Sequence, residues 1–329
     1  MAIYLCVIFL LLIFIYLYDY RKKNSGDSFS FAITFIFFVL IPGLSIDMGS
    51  DTLIYEEWFK DLPVIFKFRA SDITWEPLFC IFMSLLKTIS SNWIFAHVLL
   101  ISFINIAIFS FCKKYVNNKY TFLLLFFLLH YYEINFEPLR QSCAMVMIIW
   151  SFPYLQRKEY LKFYVLITIA VGFHYTALVC FVLPFLLNSK LCSIKIVAVC
   201  IAVFAASVLI RLYLGNLIDM LSYSFGYTKY DSHLESDGLN INGVIMTVVI
   251  KIMPVFAAMY VCQKKRILKS DNVLNALAIM FVVFMVARTF VPIFERFTLM
   301  FSFAQTSCYS DAILSPRKFS CSKDRKLGI

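Results

Sequence analysis

Long apolar runs separated by short basic clusters set the pattern of this chain. The runs fall at about 1–18, 29–46, 93–112, 120–136, 139–156, 160–172, 174–188, 193–211, 243–262, 272–290 and 294–311. A helix crossing the hydrocarbon core of a bilayer takes about 20 predominantly apolar residues, so most of these runs predict crossing helices. The pieces 160–172 and 174–188 are short for that purpose and read either as two crossings or as one broken helix. Charge decides between them. Lys and Arg collect in cytoplasmic loops, and the clearest clusters are Arg21-Lys22-Lys23, Lys113-Lys114, Arg157-Lys158, Lys264-Lys265-Arg266 and the tail from Arg317. Placing both Arg157-Lys158 and Lys264-Lys265-Arg266 inside requires an even number of crossings between them, and reading two crossings across 160–188 supplies it. The stretch Pro77–Leu86 is too short to span, so 75–90 reads as a re-entrant or interfacial helix on the outer side, which is allowed where protein buries it.

The expected architecture is therefore all-α and polytopic, with about eleven crossings plus that short helix, the N-terminus outside and the C-terminus inside. Residues 1–311 form one transmembrane domain with long outer loops at about 47–92 and 212–242, and 312–329 form a basic cytoplasmic tail. Residues 1–18 read as an uncleaved first span, because the basic residues follow the apolar run and no small-residue cleavage site is present.

Composition closes off other classes. The 329 residues are 61% hydrophobic and 15% charged, with a mean hydropathy of +0.81. Soluble domains run at about 45–50% apolar and about 25% charged. The net charge of +10 does not signal nucleic acid, which needs basic residues clustered on a solvated face. Ten cysteines are present, but Cys6, Cys80, Cys112, Cys143, Cys180, Cys200 and Cys262 lie in or beside apolar runs. No C-x-x-C pair or clustered ligand spacing and no D-x-D occurs, so neither a metal nor a cofactor is expected.

In so apolar a chain, ionisable residues near the membrane are costly and point to function. The candidates are Asp51 and Tyr55 (GSDTLIYEEWF), Glu76 (WEPLF), Glu137 and Arg140 (NFEPLRQ), His174 (GFHYTAL), and Arg288 and Arg296 (ARTFVPIFERF). On the map above each falls at the outer end of a span, so five separate parts of the chain converge on one face. Each has a plainer reading. Asp51 would solvate or cap a loop, Glu76 would complement a helix start, His174 would be a packed core histidine, Arg140 would snorkel to headgroups, and Arg296 would pair with Glu295. Lys251 is the exception, lying mid-span in VVIKIMP, where it meets either a substrate phosphate or a buried carboxylate.

The ordered series G-x-D-x-x-x-Y at 49–55, W-E-P-L-F at 75–79, L-R-Q at 139–141, F-H-Y-T-A-L at 173–178 and E-R-F at 295–297 resembles the EpsG family of membrane polysaccharide polymerases, which includes Wzy-type O-antigen polymerases. The likeness runs from about 30 to 310. It implies a GT-C-like glycosyltransferase of the bacterial inner membrane with its active face periplasmic, contributing to lipopolysaccharide or other surface-polysaccharide biosynthesis. The donor would be a growing glycan on undecaprenyl diphosphate, and the acceptor a single repeat unit on the same lipid. Asp51 or Glu76 is the expected base, with His174 as a third candidate. Arg140, Arg288 and Arg296 would hold the diphosphate, Tyr55 would meet a sugar, and Glu137 and Lys251 would contribute to substrate binding. The implied partners are a Wzz-type chain-length regulator and a Wzx-type flippase, with no nucleic acid. Three competing readings differ in chemistry. A lipid-linked oligosaccharide flippase would line a mid-membrane path with polar groups, an O-antigen ligase would share the donor but not the acceptor, and a sugar acyltransferase would place its histidine toward the cytoplasm.

Overall fold

The computed structural model describes residues 2–23, 25–45, 51–187, 271–288 and 294–313, with isolated positions at 199–209 and 253. Every regular element among them is helical. In chain order these are α1 (Ala2–Phe14), continued by a π-helical stretch to Tyr20, α2 (Asp27–Gly43), α3 (Thr52–Asp61), α4 (Pro77–Ile89), α5 (Trp93–Tyr115), α6 (Lys119–Leu128), α7 (Leu139–Gln156), α8 (Tyr160–Phe173), a 3₁₀ segment (Tyr175–Val182) leading into α9 (Leu183–Leu186), α10 (Asp271–Arg288) and α11 (Phe294–Ile313). The runs 193–211 and 243–262, the outer loop 212–242 and the basic tail beyond Ile313 lie outside the described residues, apart from those isolated positions.

The bundle is apolar on its outside as well as in its core. Leu5, Phe9, Phe29, Leu161 and Phe185 are largely exposed, whereas Asn105, Ser142, Ser151, Thr306 and Ser307 are fully buried. Exposed apolar faces of this extent mark a surface meant for lipid or partner, and small polar residues between helices allow close packing there. Ile3–Tyr20 and Trp93–Tyr115 are long and apolar enough to cross a bilayer; α2, α4, α6, α8, the 175–186 segment and most of α10 are apolar but shorter. At about 1.5 Å per residue, the 17 residues of α2 extend about 25 Å, short of a hydrocarbon core of about 30 Å. The described helices thus establish an all-α apolar bundle, and eleven crossings are not established by length.

Two local departures from the apolar pattern have clear causes. The run 120–136 is not one helix, because α6 stops at Leu128 and His130 takes φ +63°, the left-handed region that ends a helix. The chain then turns through Tyr131–Asn135, where Asn135 accepts a buried hydrogen bond from Asn105 at 2.9 Å. In contrast, 160–187 does reverse as two pieces: Tyr164 of α8 stacks on Phe181 with ring centroids 5.5 Å apart, so the chain doubles back at His174.

Charge sorts by end. Lys114 at the close of α5 and Arg157 at the close of α7 border one cavity, and Asp27, Lys113 and Lys119 border another. Lys119 pairs with Asp27 at 2.6 Å, and Lys22 donates to Asn118 at 3.0 Å. Three of the basic clusters therefore gather at one end of the bundle. The starts of α4, α5, α7 and α11 and the ends of α2 and α8 gather at the other, and the candidate site is built there.

Candidate functional site

The site is organised around one carboxylate. Pro77 occupies the first turn of α4, where its missing N–H costs nothing, and Glu76 sits at the cap in an extended conformation. Its side chain makes no capping bond to its own helix, so the plain capping role does not apply. Instead it reaches across to two other elements. Oε2 accepts from Nη1 of Arg140, on the first turn of α7, at 2.8 Å, and Oε1 lies 2.5 Å from Nδ1 of His174. His174 is itself extended (φ −161°, ψ 126°) at the junction where α8 ends and the chain reverses. Glu76 is 3% exposed and His174 6%.

Close packing makes this reach possible. A Cβ added at Gly172, the next-to-last residue of α8, would lie 2.6 Å from Cδ1 of Leu78 in α4. A glycine there lets α8 lie against the start of α4, bringing His174 within bonding distance of Glu76.

Arg140 links the carboxylate to an aromatic group. Its Nε donates to the Tyr55 hydroxyl at 3.3 Å, and its guanidinium lies 5.0 Å from the centre of the Trp75 ring, a cation–π distance. Tyr55 meets Trp75 edge-on at 5.0 Å, and Trp58 packs on Trp75 at 4.4 Å. Trp58 and Trp75 are half-buried and form an aromatic shelf beside the charged groups. Burial pushes the Tyr55 phenol up, partly offset by Arg140; Asp51 raises it further and Arg296 lowers it, so both act electrostatically on the Tyr55 hydroxyl. Asp51 caps the start of α3 without a side-chain cap bond. The Gln141 side-chain amide donates to the Arg296 backbone carbonyl, and the Thr52 hydroxyl donates to the Phe136 carbonyl at 2.9 Å. These bonds tie α3 to the turn before α7, and α7 to the start of α11, around the site.

The electrostatics assign Glu76 a state. Burial alone would raise its pKa, but the His174 hydrogen bond and the Arg140 charge outweigh it and hold the carboxyl down at about 2. A carboxylate so stabilised is a weak proton acceptor and a strong orienting anion. With Nδ1 of His174 facing that anion, the neutral imidazole carries its proton on Nδ1 and its lone pair on Nε2. Nε2 is buried and has no hydrogen-bond partner among the described residues.

Of the sequence candidates, Tyr55, Glu76, Arg140 and His174 form one bonded chain, with Asp51 and Arg296 in its field. Glu137 is exposed in the turn before α7. Arg288 closes α10, and its side chain is not among those described; Lys251 lies outside the described residues. Trp58, Trp75, Gln141 and Gly172 were not singled out by residue type. Trp75 sits inside the W-E-P-L-F motif, and that adjacency was the one available signal for it.

A comparison with protein families matches residues 28–323 to the EpsG family. No curated protein and no solved structure matches the chain. The apolar helical bundle agrees with a place in the membrane, and the family match extends over nearly all of the chain. The chain belongs to the EpsG family and is a membrane protein of polysaccharide biosynthesis.

Proposed function

We propose that this chain polymerises oligosaccharide repeat units carried on undecaprenyl diphosphate at the periplasmic face of the bacterial inner membrane, making O-antigen or a related surface polysaccharide. The observation that carries the proposal is the bonded chain Tyr55–Arg140–Glu76–His174. Four segments distant in sequence meet at the bundle end opposite the basic clusters. Under the positive-inside rule that end faces outward, where lipid-linked repeat units wait after export. The map of eleven crossings, with the N-terminus out, belongs to this reading.

The chemistry needs a base, cations and a sugar platform. His174 is the base: its Nε2 takes the proton from the acceptor's sugar hydroxyl as that oxygen bonds to the donor's anomeric carbon. The bond from that carbon to the diphosphate oxygen breaks, and undecaprenyl diphosphate leaves with the electron pair. Glu76 orients His174 and stabilises the imidazolium that forms, as the acid does in a catalytic triad. Asp51 acts at the rim, on sugar hydroxyls beside Tyr55. Arg140 retains 26% exposure of its side chain and, with Arg296, faces the diphosphate, where charge-assisted guanidinium bonds are strong. Arg288, Lys251 and Glu137 complete the substrate contacts in this scheme. The shelf of Trp75 and Trp58 receives a sugar face. A Wzx-type flippase would deliver the repeat unit, and a Wzz-type regulator would set chain length.

The test is genetic. Deleting the gene in its host and resolving surface polysaccharide on a gel should leave a product bearing one repeat unit, because export and ligation persist while elongation stops. Restoring wild type should return the ladder, and expressed Arg140→Ala or His174→Ala should not. Loss of all polymer on deletion would favour a flippase or a ligase; an unchanged ladder would overturn the proposal.

A further inference from the structure

Beside the charged cluster, reached across α3, lies a cavity of about 250 Å³. Its walls come from the end of α2, the turns of α3 next to Tyr55, and the start of α5. Thr52, Glu56 and Lys60 line it from α3, and Asn92, Trp93 and His97 from α5. Residues one and three positions from Tyr55 thus face this cavity, and neighbours three apart on a helix are within about 5–6 Å. The cavity is adjacent to the bonded chain but shares none of its four residues.

His97 is the fixed feature of its floor. It is 1% exposed, stacked on the Trp93 ring at 5.1 Å and 11°, and hydrogen-bonded to the backbone of Gly43. Gly43 comes this near because it lacks a side chain: a Cβ there would stand 2.9 Å from Val98 Cγ2. Nε2 of His97 is buried and has no partner among the described residues. A buried polar atom without a partner is costly, and here it belongs to a ring held rigidly on both sides.

The lining chemistry selects the ligand. Glu56 and Lys60 pair at 2.9 Å, so their charges cancel and leave no excess positive charge for a phosphate. The wall is too polar for a lipid tail. An amide, a hydroxyl, a carboxylate and an ammonium beside a half-buried indole suit a molecule with an apolar face and a hydroxylated rim. The volume falls below the roughly 300–1,000 Å³ of drug-sized sites, which limits the occupant to about one ring. We infer that this cavity is a subsite for one neutral sugar ring of the repeat unit, setting which sugar approaches His174. This inference rests on the polymerase reading and adds to it a determinant of sugar specificity.

The test uses the full-length chain in lipid nanodiscs and the host's repeat-unit oligosaccharide, released from its lipid by mild acid, with binding followed by thermophoresis. Glu56→Gln keeps the size and shape of a half-buried side chain on the cavity wall and removes its charge. His97→Phe keeps the ring and its stack on Trp93 but removes the Nε2 acceptor. Each should weaken binding by about tenfold, the scale of one hydrogen bond to a charged or buried partner. Wild-type affinity in Glu56→Gln and in folded His97→Phe, or no binding to wild type, would overturn the subsite. The two readings fail separately. A lost subsite leaves the single-repeat phenotype of Arg140→Ala cells in place, whereas a deletion strain with an intact ladder overturns the polymerase reading and the sugar assignment with it.

Discussion

Replacing Glu76 by Gln keeps the shape of the side chain and removes the charge that Arg140 and His174 share. The cost follows from the site itself. A carboxyl held at about 2 instead of 4.5 is stabilised by about 3 kcal/mol, at about 1.36 kcal/mol per pKa unit. Breaking a buried ion pair costs about 3–5 kcal/mol, and the lower end applies because Arg140 keeps some exposure. The two routes agree near 3 kcal/mol. The sign is fixed by the direction of the shift. A carboxyl with a depressed folded-state pKa contributes its full stability above the ordinary value of 4.5, and loses it as pH falls from there toward 2. Thermal unfolding of the purified chain in detergent, followed across pH 2 to 7, should show Glu76→Gln destabilised at pH 7 by about 3 kcal/mol. The gap between wild type and variant should close as pH falls below 4.5. A variant that unfolds with wild type at pH 7, or a gap that persists at the lowest pH, would refute the assignment of Glu76 as the central anion.

Other consequences are more local. His174→Ala should lower polymer formation by about 10²–10⁴-fold, the range for removing a general base, measured as polymer per hour in membranes with protein levels matched. Tyr55→Phe removes one hydrogen bond and should cost about 0.5–1.5 kcal/mol, leaving the polymer ladder present but diminished. Arg140→Lys should fail like Arg140→Ala, because a single ammonium cannot serve Glu76, Tyr55 and the Trp75 ring together; recovery of the full ladder would contradict this. Gly172→Leu should separate α4 from α8 and reproduce the His174→Ala phenotype at wild-type protein levels, whereas Gly172→Ala, which displaces mainly the flexible Leu78 side chain, should be milder on the same gel.

The part of this structure that follows from simple physics was legible in the chain. Apolar runs bounded by charge located α5, α7 and α11 closely, since a helix in lipid must be apolar along its length. Arg140, Glu76 and His174 stood out because ionisable groups are scarce and costly in such a chain. Their pairing did not stand out. Nothing in WEPLF indicates that Glu76 abandons its helix cap for Arg140, 64 residues away, and His174, 98 residues away. That choice depends on how closely α8 approaches α4, hence on Gly172 and Leu78, which look unremarkable in sequence. The helix break at His130 was equally hidden, because Leu129-His130-Tyr131 continues the apolar pattern while the backbone turns.

The most direct test of the account is reconstitution. The purified chain in nanodiscs would be given undecaprenyl-diphosphate-linked repeat units alone, and products would be resolved by length. The account predicts glycans of two or more repeats with release of one undecaprenyl diphosphate per bond formed, abolished by His174→Ala and Glu76→Gln. Repeat units that stay single in the presence of folded, active-site-intact protein would contradict it.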